Sequence, residues 1–389
     1  MKLTRSFFIL LCILFILCVI LYSIQKNFIQ EGLTSDNPSS VAEVQVLEND
    51  RKFGTNSSYI TILPLKNFVS SQNKTQGIAA NYPDISRLPI CNYAIKSSYN
   101  SACSGSSGNI SNEMLKYVLS RGCRFVDFEI KNISGIPYVV SPNLNSVVTI
   151  DTTKIVPLSN ILQTAITYGI TNSPESAPNY ADPLFLHLRI HPDPSYNNLY
   201  QDIASCIEKK IGSNLYNNKT IQIDVTKTKI SDIMGKVIVV VDNNYDPNWR
   251  TASKCDPAKK NCYDLNNFVH IETGIGNVII NSPTTILNQS KKPIQTGQDG
   301  LSTMNQNLQF IFPDSDMAIL NQTKGSNKSN KSNPDFTNLM LNWSCNFITN
   351  CFYIQDRNLR AYEDFFNEKQ TAIVPLSDVK NYYTKQQFQ

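Results

Sequence analysis

Groups able to move protons are few in this chain. Its 389 residues include three histidines, His187, His191 and His270, so any reaction that needs two imidazoles must draw on that set. Imidazole matters because its ordinary pKa lies near neutral pH. His187 and Arg189 stand two apart in Leu184 to Ile190 (LFLHLRI), and Asp127 and Glu129 stand two apart in Arg124 to Ile130 (RFVDFEI). In an extended strand that spacing puts both side chains on one face. One segment then offers two carboxylates to a barrel or sheet interior, and the other offers an imidazole and a guanidinium. Inward acids at a strand end suit either a ligand site or a salt-bridged polar cluster, and the cluster is the favoured reading. His187 is expected to be a hydrogen-bonded core residue and His191 a surface-loop residue, with both kept as fallback acid–base candidates. His270 is expected to have no part in that site.

Cysteine and asparagine patterns speak to compartment. Cys255/Cys262 and Cys345/Cys351 are close enough in sequence to close small loops as disulfides, while Cys123 and Cys206 fall in core-like patterns. Zinc is disfavoured because neither pair has C-x-x-C spacing or a nearby histidine. Glycosylation acceptors occur at Asn56, Asn73, Asn109, Asn132, Asn218, Asn288, Asn321, Asn327, Asn330 and Asn342. In a chain this rich in Asn, Ser and Thr several arise by composition alone, so only some are expected to be used.

The elements that must position these groups begin after an apolar run. Ser6 to Ile24 carries no charge and is close to the ~20 residues a membrane-spanning helix needs. A cleaved secretory signal is the competitor, but its apolar region is usually about 7–15 residues and ends in small residues. We expect a single-pass signal anchor at 6–24, a cytosolic tail at 1–5 and the remainder lumenal, extracellular or on a virion surface, because Lys2 and Arg5 outweigh Lys26. Residues 25–85 read as a polar stalk. A net charge of +4, from 35 basic and 31 acidic side chains, gives no reason to expect nucleic acid. At 41% hydrophobic the chain can bury a sizeable core. Heavy use of Asn, Lys, Ile and Tyr is what an AT-rich genome yields, a large DNA virus being one such source.

Beyond residue 85 strand and helix patterns alternate, which predicts an α/β fold with a parallel sheet. Ser111 caps a helix that buries Met114, Leu115, Val118 and Leu119. A helix over Ser159 to Tyr168 follows Arg124 to Ile130, capped by Ser159 and ended by a left-handed Gly169. The strand Leu184 to Ile190, a helix over Leu199 to Ile211 and the buried strand Lys236 to Val241 complete the series. The ~300 residues available suit a single (β/α)8 barrel of the usual ~250 residues with insertions.

Several fragments, in order, resemble the phosphatidylinositol-specific phospholipase C superfamily. Leu88 to Asn100 (LPICNYAIKSSYN) is similar to the opening P-L-x-x-Y-x-I-x-S-S-H-N of its X region, and Gly122-Cys123-Arg124 with Asp127 and Glu129 to G-C-R-x-x-E-x-D. Pro137 to Ser141 falls where that family has P-x-x-x-H, Leu186 to Arg189 at L-S-L-E, Gly212 to Tyr216 at G-x-x-L-Y and Gly235 to Ile238 at G-K-I-L. Leu308 to Pro313 resembles L-S-R-I-Y-P of the Y region, and Cys345 to Pro375 its final strand and following loop. The resemblance implies a TIM-type barrel with an X-like half at 86–242, a divergent insert at 243–299 and a Y-like half at 300–389.

It also implies lost chemistry. The family's two catalytic histidines fall at Tyr99 and Ser141, and neither side chain replaces imidazole without unusual help. The family's calcium ligands fall at Asn100, Asp127, Glu129 and Arg189, and a guanidinium at the fourth position would repel calcium and pair with both acids. Phe310 and Phe312 stand where the family has a phosphate-binding arginine and a tyrosine, and the lysine expected after G-K-I-L falls near Val240. The expectation is therefore a membrane-anchored barrel without phospholipase activity that acts in binding, with a phospholipid or a protein as its ligand, or as a surface or envelope protein. No metal or other cofactor is expected in it, calcium belonging only to the alternative. That alternative is an active phosphoric diester hydrolase with rearranged groups. Lys324 to Ser332 is read as a solvated loop in preference to a lipid-headgroup contact.

Overall fold

The computed structural model describes residues 41–47, 62–65, 85–104, 108–142, 152–216, 222–255, 262–290, 293–313 and 332–386, all within the compact unit Pro38–Gln389. The apolar run at 6–24 and the polar loop at 324–331 lie outside them. Among the described residues no helix is long and apolar enough to cross a membrane.

Among the described residues eight parallel strands form a nearly closed barrel: β1 Tyr93–Ser98, β2 Phe125–Ile133, β3 Leu184–Ile190, β4 Val237–Asp242, β5 Ile271–Thr273, β6 Val278–Asn281, β7 Leu308–Ile311 and β8 Phe347–Asn350. Ladders join neighbours from β1 through β5, then β6 to β7, β7 to β8 and β8 back to β1. Between β5 and β6 the described residues form only an antiparallel bridge, Ile275 to Val278. Gly274 and Gly276 hold positive φ in the tight turn there, which is too short for the crossover that a parallel pair requires.

Alternation along β2 and β3 sorts the side chains into two layers. Val126, Phe128, Leu186 and Leu188 face the outer helices, in one apolar cluster with Leu115, Leu162 and Ile203. Phe125 and Phe185 face inward with Phe310 and Phe347. Helices Asn112–Ser120, Leu158–Gly169 and Leu199–Lys210 follow β1, β2 and β3. Ser111 caps the first as expected, its Oγ accepting the Met114 N–H at 3.1 Å.

Four expectations need correction. The second helix starts at Leu158 behind Pro157, so Ser159 is not its cap, and Gly169 lies inside it. What Gly169 provides is clearance: a Cβ there would lie 3.0 Å from Leu184 Cδ2. The segment 243–299, expected as a divergent insert between the two halves, supplies β5 and β6 of the barrel. The polar stretch 25–85 is docked where it is described: Val44, Leu47, Ile62 and Leu65 are buried, and the Leu63 N–H donates to the Gln370 carbonyl at 2.8 Å. Finally, Cys255 and Cys262 form the disulfide expected of them, with Cα atoms 5.6 Å apart, but Cys345 and Cys351 are separate buried thiols. Strand β8 runs between them, and at ~3.3 Å per residue an extended strand carries its ends far beyond the ~7 Å limit for a disulfide.

Candidate functional site

In-register pairing of β2 with β3 sets Asp127 beside His187 and Glu129 beside Arg189. All four side chains are buried. Arg189 grips Asp127 with two parallel bonds, Nε to Oδ1 and Nη2 to Oδ2, each 2.9 Å. Nη1 donates to Glu129 Oε2 at 3.3 Å and to Tyr245 Oη at 3.1 Å, and Nη2 also donates to Asn100 Oδ1. These five bonds use all five donors of a guanidinium. The cation lies over the rings of Tyr99 and Tyr245, 4.7 and 5.7 Å from their centroids.

Asn100 reaches this cluster through a local backbone choice. It adopts φ +45° just past the end of β1, a left-handed conformation that Asn tolerates better than most residues. Its N–H donates to Asp127 Oδ2 at 2.9 Å, and the Asp127 N–H donates to Ser101 Oγ at 2.9 Å. His187 completes the set: Nδ1 lies 2.8 Å from Asp127 Oδ1, and the ring packs on Phe125, Phe310 and Phe312 at centroid distances of 5.5, 6.4 and 4.9 Å.

The electrostatics follow from these contacts. Burial alone would raise the Asp127 carboxyl, but the Arg189 charge and the His187 contact outweigh it and hold the group down to about 2. Glu129 is also lowered, its burial opposed by His191 and Arg189. Burial pushes the Tyr99 phenol well above its ordinary value despite the adjacent Arg189, so Tyr99 stays protonated and is a poor base at neutral pH.

The remaining candidates sort by position. His191 is at the rim, its side chain one-third exposed, with Nε2 2.8 Å from Glu129 Oε1. His270 stands apart on structural duty: Nδ1 accepts the Val239 N–H at 3.0 Å, and burial lowers the imidazole to about 4. Ser141 is buried past the end of the short strand Ile136–Val140, with its N–H on the Lys154 carbonyl. Phe310 stacks on Phe347 at 4.5 Å in the barrel interior. Phe312 lies further toward the carboxyl ends, edge-on to Tyr99 at 5.8 Å. Tyr245 is the member that sequence reasoning missed. It sits in the loop after β4, and no spacing ties it to Arg189, 56 residues away.

The oxygens that the resemblance assigns to calcium do not fit that ion. Asn100 Oδ1, both Asp127 oxygens and Glu129 Oε2 all accept from Arg189, whereas calcium takes 6–8 oxygens and no adjacent cation. Among the described residues no group of three or more His, Cys, Asp or Glu side chains could hold a metal ion.

Residues 86–243 match the family model for phosphatidylinositol-specific phospholipase C, X domain. No curated protein matches the chain. Among solved structures, L. pealei PLC21 is similar at 14% identity and a TM-score of 0.49, over 75% of this chain and 37% of that one. A calcium-dependent phosphoinositol-specific phospholipase C from a Pseudomonas species is similar at 10% identity and a TM-score of 0.37, over 60% of this chain and 86% of that one. The phosphatidylinositol-specific phospholipase C of Listeria monocytogenes is similar at 14% and 0.34, over 59% and 75%. The chain thus spans little more than a third of the length of L. pealei PLC21.

Proposed function

We propose that this chain, which belongs to the phosphatidylinositol-specific phospholipase C superfamily as a divergent member, uses its barrel to bind and not to cleave. The observation that carries this reading is the saturation of Arg189. All five of its donors are committed to Asp127, Glu129, Asn100 and Tyr245, so this guanidinium offers nothing to a phosphodiester. The carboxylates are equally committed, and the positions that the resemblance assigns to the acid–base pair read Tyr99 and Ser141. With both proton-transfer positions changed and the metal-ligand oxygens taken by Arg189, a pentacovalent phosphate would have no stabilising charge.

The same reading places the barrel on a membrane anchor at 6–24, as a lumenal, extracellular or virion-surface domain whose ligand is a phospholipid or a protein. The Cys255–Cys262 disulfide supports an oxidising compartment. Full-length protein mixed with phosphatidylinositol vesicles should release no labelled inositol phosphate with or without calcium, while sedimenting with vesicles or with a protein ligand.

One contact favours a second reading, an active phosphoric diester hydrolase with rearranged groups. His187 Nδ1 on Asp127 is a carboxylate-oriented imidazole, the arrangement general-base catalysis uses. Turnover that disappears in His187→Ala would establish that reading in place of the first.

A further inference from the structure

We propose that residues 62–65 are a pH-sensitive strap along the amino ends of β2 and β3, docked firmly in acid and loosened as pH rises toward neutrality, with Asp182 as its clasp. The device is independent of whether the barrel binds or cleaves.

Three contacts with distant parts of the chain seat this segment. The Leu63 N–H donates to the Gln370 carbonyl at 2.8 Å. Ile62 packs over Gly122, just before β2, where an added Cβ would lie 3.2 Å from it. The Leu65 N–H donates at 2.8 Å to Oδ1 of Asp182, just before β3. Ile62 belongs to the outer apolar cluster and Leu65 to the inner one, so four residues span both layers of the barrel. Of these attachments only Asp182 ionises.

The surroundings of Asp182 set the direction of the response. Its side chain is wholly buried, and the donors that reach it are uncharged: the Leu65 N–H and the Asn179 side-chain amide, which meets Oδ2 at 3.3 Å. Among the described residues Arg124 is the one charged group that acts on it. That guanidinium donates instead to the carbonyls of Asn179 and Gly169, at 2.9 and 2.8 Å, while its Nε meets no acceptor. A carboxylate buried without a paired cation is costly. Burial accordingly raises the Asp182 carboxyl from 3.8 to about 6, against the lowering by Arg124 and the two hydrogen bonds. A lifted strap admits water and returns the group to its ordinary value. Between pH 4 and 6 the undocked state is then ionised while the docked state still holds its proton, so rising pH favours undocking. Above pH 6 both states are ionised and the change levels off.

Hydrogen exchange of the full-length protein tests the clasp, read by mass spectrometry on peptides covering 62–65 and corrected for the intrinsic rate at each pH. Protection at 62–65 should fall about a hundredfold from pH 4 to pH 7, the factor that a change from 3.8 to about 6 carries, while peptides from β3 keep theirs. In Asp182→Asn the oxygen that accepts the Leu65 N–H remains but the side chain cannot ionise, so protection should be level across the range. Native protection that is constant or rises with pH overturns the strap, as does a lack of protection at pH 4. A fall shared by β3, or the same fall in Asp182→Asn, overturns it too. Should Asp182→Asn fail to fold, the native profile of 62–65 against β3 decides alone.

Discussion

At the scale of single residues the centre of this barrel is an ion cluster built to stay closed. Asp127 is fully buried, and its carboxyl falls from 3.8 to about 2 on folding. A group depressed in the folded state stabilises it above its unfolded pKa, and that contribution is lost as pH falls toward the folded value. Stability should therefore drop between pH 4 and 2, by roughly 2 kcal/mol from this group. Urea unfolding across that range should show the slope in the native protein and a flatter one in Asp127→Asn. Arg189→Met should cost about 3–5 kcal/mol, because it leaves two buried carboxylates without their cation. If Arg189 stands in for a metal, millimolar calcium should restore part of that loss in Arg189→Met and none in the native protein, measured by thermal unfolding. The carboxylates, the guanidinium and their common face were legible from period-two spacing. Tyr245 was not, because a loop residue with no periodic signal reaches Arg189 only through the fold.

Elements explain both the successes and the errors of sequence reading. Strands β3 and β4, and β2 as far as Ile130, are apolar runs apart from their inward polar residues, since helices cover their outer face. Polar composition misled over the segment before residue 85, where a few apolar residues do the packing. Ile62 is 3% exposed and lies 3.2 Å from where a Cβ on Gly122 would stand. Ile62→Ala should accordingly cost about 2–5 kcal/mol in chemical denaturation, whereas the same change in a solvated stalk would stay within about 0.5 kcal/mol. The disulfide prediction split for an equally local reason: Cys255 and Cys262 lie with Cα atoms 5.6 Å apart, while β8 separates Cys345 from Cys351.

For the whole molecule, burial decides which glycosylation acceptors a lumenal barrel could present. Asn288 and the two residues after it are exposed. Asn109 is 6% exposed and accepts a bond from Lys154, and Asn342 is followed by buried Trp343 and Ser344. Expression of the full chain through a eukaryotic secretory pathway should place a glycan on Asn288 and none on Asn109 or Asn342, as read by peptide mass spectrometry. A chain with no glycan at any acceptor would remove the support for a lumenal barrel.

By itself the sequence determined what depends on neighbours along the chain: strand and helix periods, and the inward faces of β2 and β3 with Asp127 and Glu129 on one and His187 and Arg189 on the other. Only the tertiary structure decided what depends on closing the barrel. Closure brings residues from the segment after β1, from β2 and from the loop after β4 around the β3 guanidinium, recruits part of 243–299 into the wall, and strands two polar atoms beside the ion pair. Contacts between segments dozens of residues apart leave no mark on local spacing, because they are set by how strands register and not by which residue follows which.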